Sequence, residues 1–505
     1  MKTNLELIKE YFETDSINGN IALSKAPGII WSNQGINNAL AAFHLAAELV
    51  PAYKDFLKVN KVDHHKIKTY NDFKNVPLTD KNSYLLKYPI NKLCLEGNVI
   101  NKNVISSSSG STGVPFYWPR TFEQDINIAR SLETLYINNF SIDKKSTLFL
   151  ICLGLGVWTA GEMMFSSGKL IAQKGYKITV MCPGIDLKET IKVLKNIAPL
   201  YKQTFIIGYP AFVKDIVDES KRVGINIEAL SLKVLVGGEV FTEQWREYIY
   251  NNAKMKDRYK DITSVLGSSE GGIVGMETPL CVFIREKCYL KILSKQEIFE
   301  SDHLPSIVQY NPMAKFIETI NKEIVLTNAG GLPLVRYNTR DEGGVIEYDN
   351  MIAHLEKNNI TKDIISKNLS GVSLWTFPFV YLFGRTNIMA TLYAVNVYPE
   401  NIKPALYCEE FSGLLTGRFA MKTSETKESN QYLEIFVELS PGQFPSDNLR
   451  TNIENKIINQ IKSLNSEFNK MINSVNRKNI IRVNLKEFQN KEYFSSDKQK
   501  YVILG

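Results

Sequence analysis

Leu148-Phe149-Leu150-Ile151-Cys152-Leu153, Thr204-Phe205-Ile206-Ile207 and Leu232-Lys233-Val234-Leu235-Val236 are three short, nearly uninterrupted apolar runs. Such runs suit strands buried on both faces. Leu187–Leu200 and Ala211–Arg222 lie between them with apolar residues at helical spacing, and Tyr176–Met181 reads as a further strand. Strand and helix alternate, which predicts an α/β domain with a mixed, largely parallel sheet. On the N-terminal side, residues 1–100 read as helices and connections, with a stripe of Ile36, Leu40, Phe43, Ala47 and Val50 over Gly35–Val50. On the C-terminal side the pattern changes. Gln431–Leu439 alternates as a half-buried strand, Asn448–Asn473 reads as one long helix, and Asn479–Phe488 reads as a last strand. The expected domains are therefore 1–384, a large α/β domain, and 385–505, a small mobile α+β domain.

The chain has 505 residues, 44% hydrophobic and 11% aromatic, enough for a large core and against wholesale disorder. A formal net charge of +7 is too small a surplus to argue for a nucleic-acid partner. Thr451–Gly505 alone holds 10 Lys/Arg and 5 Asp/Glu. That segment is either a solvated basic face or a small domain that closes over a polyanion. The 6 cysteines are scattered without a C-x-x-C, as in a reducing compartment. Met1–Thr14 has no apolar signal region, and the longest apolar stretch, Leu148–Trp158, is glycine-interrupted and shorter than the about 20 residues of a membrane span. The expectation is a soluble cytoplasmic enzyme with neither nucleic acid nor membrane as partner.

Chemistry concentrates in a few loops. Ser106-Ser107-Ser108-Ser109-Gly110-Ser111-Thr112-Gly113 follows the apolar stub Val104-Ile105. Glycines there permit close backbone approach and inward N–H groups, and hydroxyls such as Thr112 can help place Mg²⁺. A Walker A loop is excluded, because Val114 follows Gly113. Gly154-Leu155-Gly156 does not complete a dinucleotide fingerprint: its third glycine falls at Thr159, and no acidic residue ends the next strand. Gly237-Gly238-Glu239 follows a strand, and Leu266-Gly267-Ser268-Ser269-Glu270-Gly271-Gly272 sets one carboxylate in a glycine/serine turn. Tyr337-Asn338-Thr339-Arg340-Asp341 follows an apolar run, and Gly384-Arg385-Thr386-Asn387 opens the C-terminal part. Taken singly, each is more often a turn than a site.

In this order and spacing the set resembles the acyl-adenylate-forming (ANL) superfamily, and within it the phenylacetate–CoA ligase-like branch. Pro77-Leu78-Thr79-Asp80-Lys81 and Val395-Asn396-Val397-Tyr398-Pro399-Glu400-Asn401-Ile402 extend the likeness over nearly the whole chain. The resemblance implies an ATP- and Mg²⁺-dependent enzyme that turns a carboxylic acid into an acyl-adenylate and passes the acyl group to CoA. It implies that Ser108, Ser109, Gly110, Ser111, Thr112 and Gly113 hold the ATP phosphates, and that Glu270 binds Mg²⁺. Gly238, Glu239, Gly267, Ser268 and Ser269 would frame adenine, and Asp341, with Arg385, the ribose. Gly208, Tyr209, Pro210 and Trp158 would line the acid pocket, Asn387 would be the hinge, and Lys498 the adenylation lysine. Five positions depart from the family pattern: Val114 replaces a lysine, Leu266 a tyrosine, Arg340 a glycine, Asn387 an Asp or Lys, and Asp497 a glycine. Cys281 and Cys288 lie where some relatives carry metal ligands, but no histidine accompanies them. Two alternatives stand beside the CoA ligase: transfer of the acyl group to an amine or carrier-protein thiol, and a catalytically silent nucleotide-binding protein.

Overall fold

The apolar runs lie side by side in an eleven-stranded sheet. The coordinates are a computed structural model, which describes all residues except 1–3, 101, 108–115, 157–158, 239, 386–389, 393–394, 426–430, 466–467, 470–471, 473–479, 495–500 and 503–505. A hairpin, β1 (Val104–Ser107) and β2 (Tyr117–Arg120), comes first. Then follow β3 (Thr147–Cys152), β4 (Ile178–Met181), β5 (Gln203–Gly208), β6 (Lys233–Gly237), β7 (Ile262–Ser268) and β8 (Gly272–Met276). The sheet is completed by β9 (Ser306–Gln309), β10 (Phe316–Ile320), β11 (Glu323–Asn328), β12 (Leu334–Ile346) and β13 (Phe379–Arg385). Its order is β10-β11-β12-β13-β9-β8-β7-β6-β5-β3-β4.

The α/β fold with a mixed sheet is present as expected. From β4 to β7 the strands pair in parallel. The pairs β7–β8, β8–β9, β9–β13, β10–β11 and β11–β12 are antiparallel. An apolar run reports burial and not direction, so the antiparallel half was not separable in the sequence. Helical crossovers join the parallel strands, while short turns join the antiparallel pairs β7–β8, β10–β11 and β11–β12; two helices separate the antiparallel neighbours β8 and β9. Every residue of β3 and β5 is buried, as central parallel strands require. Tyr136 and Phe140, from the Phe122–Phe140 helix, each bring their rings to 4.7 Å from Phe205 of β5.

Two compact units divide the chain: Met1–Gly208, Leu230–Gly238 and Lys256–Phe383 form one, and Tyr209–Ala229, Glu239–Met255 and Gly384–Gly505 the other. The sequence draws one boundary, at 384/385; the second unit also takes in two mid-chain segments. It contains a three-stranded sheet of β16 (Leu415–Glu425), β17 (Gln431–Leu439) and β18 (Ile481–Lys486), after the short pair β14 (Ala390–Leu392) and β15 (Val395–Val397). Ile453, Ile457 and Ile461 of the Asp447–Leu464 helix fill its core. The helix predicted over 448–473 ends at Leu464. Asn465 leaves helical geometry, and its Oδ1 accepts the Phe468 N–H at 2.9 Å; beyond it Phe468, Asn469 and Ile472 are helical, while 466–467, 470–471 and 473 lie outside the described residues.

Candidate nucleotide-binding active site

The parallel strands end in step. Cys152 of β3 pairs with Gly208 of β5, Gly208 with Val236 of β6, and Gly237 of β6 with Val265 of β7. The chain leaves β3 for β4 on one side and returns to β5 on the other, so the strand order reverses between β3 and β5. Open α/β sheets form ligand crevices outside the carboxyl ends at such a reversal. Several residues singled out in the sequence gather on this edge. Gly154–Gly156 follow β3, Thr159–Gly161 begin the next helix, Gly208 closes β5, Gly238 follows β6, and Gly267 and Ser268 end β7. In the second unit, Tyr209 is the N-cap and Pro210 the first residue of the Pro210–Arg222 helix. Gly161 is required by close approach, since a Cβ there would meet the Gly154 carbonyl oxygen at 2.0 Å.

β1, which leads into the serine/glycine stretch, meets the same edge. Ser107 of β1 pairs with Tyr117 of β2. Thr159 Oγ1, at the start of the Thr159–Gln173 helix, donates to Ser106 Oγ at 3.0 Å. Arg120 at the end of β2 is buried and ion-paired with Asp125 Oδ1 and Glu162 Oε2, one from each of two helices. Burial works against the Arg120 charge, but the two carboxylates outweigh it and hold the proton more tightly than usual. Thr121 and Gln124 form a capping box that starts the Phe122–Phe140 helix directly after β2. Gln124 Oε1 also accepts the Gly331 N–H at 2.7 Å.

Glu270 sits in the tight turn between β7 and β8, where Ser268 pairs with Gly272. The turn is closed by the Gly271 N–H, which donates to Ser268 Oγ at 2.9 Å. A Cβ on Gly271 would come within 3.1 Å of Leu326 Cδ2 of β11, so the turn is packed closely. Beneath it the buried Lys315 ammonium donates to the Gly271 and Ile273 carbonyls.

Asp341 lies on a bulge of β12. Glu323 of β11 pairs with Glu342 and Val325 with Asn338, so Thr339, Arg340 and Asp341 together face one β11 residue. Bulges of this kind re-aim a side chain beside a site. Thr339 Oγ1 donates to the Ile324 carbonyl at 3.1 Å and accepts the Asp341 N–H at 3.3 Å. Arg340 adopts φ +61°, and Asn338 Oδ1 accepts its N–H at 2.8 Å. The Pro77–Lys81 segment is bonded to this strand: Thr79 N–H donates to the Arg336 carbonyl at 3.0 Å, and Asn338 N–H to the Thr79 carbonyl at 2.8 Å.

Ser108, Ser109, Gly110, Ser111, Thr112, Gly113, Trp158, Glu239, Asn387 and Lys498 lie outside the described residues, as does the side chain of Arg385. The flanks of 495–500 are described. The Lys491–Phe494 helix precedes it, and after it the Tyr501 carbonyl accepts the Met421 N–H of β16 at 2.6 Å. The Tyr501 ring is buried, with the Lys403 ammonium 4.0 Å from its centroid.

The donor chemistry suits Mg²⁺ rather than a protein-caged metal. Glu270 is a single carboxylate in a backbone-rich turn, and Mg²⁺ is commonly held by one or two carboxylates together with substrate phosphates. Among the described residues no cluster of three His, Cys, Asp or Glu side chains could hold a metal ion. Cys281 and Cys288 are buried in the Pro279–Tyr289 helix, and burial pushes the Cys281 thiol up to about 12.

No family profile matches the chain. Phenylacetate-coenzyme A ligase of Aromatoleum evansii is 24% identical over 305 residues, a match spanning 59% of this chain and 62% of that protein. Phenylacetate-coenzyme A ligase of Thermus thermophilus is 21% identical over 366 residues, 71% of each. Among solved structures, 2-hydroxyisobutyryl-CoA ligase in the postadenylation state with 2-HIB-AMP aligns over 93% of this chain and 89% of its own, at TM-score 0.64 and 15% identity. The fold is that of the acyl-adenylate-forming ligases. AtGH3.15 acyl acid amido synthetase in complex with 2,4-DB has the same architecture, at TM-score 0.58 and 14% identity over 98% and 95% of the two chains. In this ligase fold, three residues given no role by the sequence brace the motif loops: Arg120, Lys315 and Asp80. Lys315 had one visible signal, a lone cation directly before the apolar Phe316-Ile317. No described helix is long and apolar enough to cross a membrane.

Proposed function

We propose that the protein activates a carboxylic acid with ATP to an acyl-adenylate and transfers the acyl group to CoA. The observation that carries this reading is the Thr159–Ser106 hydrogen bond. It ties β1, which leads into the serine/glycine stretch, to the helix that follows β3 beside the strand-order reversal, and this supports the reading. The likeness to phenylacetate-coenzyme A ligases supports the same chemistry.

A carboxylate oxygen attacks the α-phosphorus, and the bond to the bridging oxygen of pyrophosphate breaks. Both reactants are anions, so the site has to supply positive charge and alignment rather than a nucleophile. The 108–113 backbone holds the phosphates, Asp341 accepts from the ribose hydroxyls, and Gly208-Tyr209-Pro210 with Trp158 lines the acid. When bound at Glu270, Mg²⁺ neutralises phosphate charge. Lys498 meets the charge developing between carboxylate and α-phosphate. The segment bearing it then swings about Asn387, and the CoA sulfur attacks the acyl carbonyl, loses its proton and displaces AMP.

ATP–pyrophosphate exchange across a panel of aryl, aliphatic and amino acids tests the first step. Exchange with none of them would favour a silent nucleotide-binding protein. Product analysis with CoA present and absent then identifies the acceptor. An amide formed from an added amine, with no thioester, would favour the amine alternative, which the shared fold with an amido synthetase keeps in view.

A further inference from the structure

Lys315 is an unusual residue to find under a loop. It is 9% exposed and sits in the link between β9 and β10, where its own N–H donates to the Asn311 carbonyl at 3.4 Å. Its ammonium donates to the Gly271 carbonyl at 2.5 Å and to the Ile273 carbonyl. These carbonyls lie one and three residues beyond Glu270 and flank Gly272, the first residue of β8. Burial alone acts on the ammonium, pushing it down to about 7, and no described carboxylate offsets that cost. A buried cation without a counter-ion is expensive, and a methionine would fill the space without the desolvation. What the lysine provides is a donor with several N–H groups that can bridge two backbone carbonyls at once, a tie that strengthens in its ammonium form.

We propose that Lys315 is a positioning residue for adenylation, clamping the Gly271 and Ile273 carbonyls so that the β7–β8 turn presents Glu270 to the nucleotide. The proposal rests on the assignment of that turn to the ATP site. Lys315 acts through the backbone and touches neither nucleotide nor acid. Ser268 holds the turn from within, through the Gly271 N–H, and Lys315 holds it from the neighbouring connection, through the Gly271 carbonyl. With both polar groups of Gly271 engaged, the turn has little freedom to re-aim Glu270.

The test uses the full chain as wild type, Lys315→Met, Lys315→Gln, Glu270→Gln and the doubles that combine Glu270→Gln with each Lys315 change. ATP–pyrophosphate exchange is measured over a range of Mg²⁺ concentrations, with thermal melting and amide hydrogen exchange of residues 265–276. Lys315→Met is expected to cut kcat/KM for ATP at least tenfold and to raise the Mg²⁺ needed for half-activity. Lys315→Gln, which restores a neutral donor, should recover part of the loss. Amide exchange should quicken within the turn and β8 rather than throughout. Once Glu270 is Gln, losing Lys315 should cost less than twofold more. Unchanged exchange activity in folded Lys315→Met, or losses that multiply fully with Glu270→Gln, would overturn the proposal. If Lys315→Met does not fold, Lys315→Gln and its double variant decide by the same criterion. A wild type that exchanges with no acid overturns the functional reading and this role together. A competent wild type beside unaffected variants overturns the role alone.

Discussion

Arg340 Nη2 donates to Asp80 Oδ2 at 2.6 Å, joining the bulge of β12 to the Pro77–Lys81 segment. Its other terminal nitrogen lies 3.6 Å from Glu323 Oε2. The guanidinium is therefore engaged on two carboxylates outside the Thr339–Asp341 bulge. This accounts for a large residue at a position with φ +61°, where glycine is the easy choice. Arg340→Gly relieves backbone strain of about 1 kcal/mol and loses an exposed ion pair of about 0.2–1 kcal/mol. The two offset, so melting should move by no more than a few degrees. ATP affinity by calorimetric titration should stay within about threefold, which is under 1 kcal/mol. A tenfold gain in affinity would mean that Arg340 obstructs the ribose.

Asp80 gives this contact a pH dependence. Partial burial pushes its carboxyl up, but the Ser83 N–H and hydroxyl, followed by Arg340, outweigh it and bring the pKa down to about 2. A depressed acid stabilises the fold above its unfolded value, near 4, and loses that contribution as pH falls towards 2. Asp80→Asn should therefore be less stable than wild type at neutral pH, by about 1 kcal/mol after allowing for solvent screening. The difference should shrink through the window from pH 4 to 2. Urea melts across that window measure it, and a constant difference down to pH 2 would contradict the assignment.

Arg120 ties the end of β2 to two helices through Asp125 and Glu162. Arg120→Met strands both carboxylates in a largely dry setting, which costs on the order of 3–5 kcal/mol. Replacing all three, with Arg120→Met, Asp125→Asn and Glu162→Gln, removes the stranded charge and should recover most of the loss. Chemical denaturation of the two variants reads the difference. Equal stability of wild type and Arg120→Met would show that the triad contributes nothing.

The parallel half of the sheet was legible because β3 and β5 are buried along their whole length and so appear as bare apolar runs. The turn around Glu270 was legible because glycine and serine leave one carboxylate exposed to notice. The bulge at Thr339–Asp341 was not. Its register depends on the β11 partner, and Arg340 at positive φ contradicts the local preference of the residue. Lys315 was equally hidden, since its role comes from a turn more than forty positions away in the chain. Asn465 ended a helix whose apolar spacing runs on, because a side-chain bond to the Phe468 N–H competes with the helical one.

Glu270 is the one carboxylate in the β7–β8 turn. Glu270→Gln keeps the size and a hydrogen-bond acceptor and removes the charge. Adenylation should fall on the order of 10²-fold or more, since metal-linked charge stabilisation is worth several kcal/mol. Raising Mg²⁺ should restore little if the lost charge is the ligand itself. Near-normal pyrophosphate release from a well-folded Glu270→Gln protein would remove Glu270 from the metal site.

Lys498 lies outside the described residues, between the Lys491–Phe494 helix and Tyr501, whose carbonyl accepts the Met421 N–H of β16. If the segment serves adenylation and then withdraws, the two half-reactions should separate. Lys498→Ala should abolish acyl-adenylate formation, the loss expected when an ammonium facing developing charge is removed. It should largely spare consumption of a synthetic acyl-adenylate by CoA. Lys500→Ala, two residues on and next to the anchored Tyr501, should damage adenylation much less. Each half-reaction is assayed separately on both variants. Equal loss in both half-reactions for Lys498→Ala would indicate a static site or a misfolded segment. Loss confined to Lys500→Ala would move the catalytic ammonium by two residues, to the position beside the Tyr501 anchor.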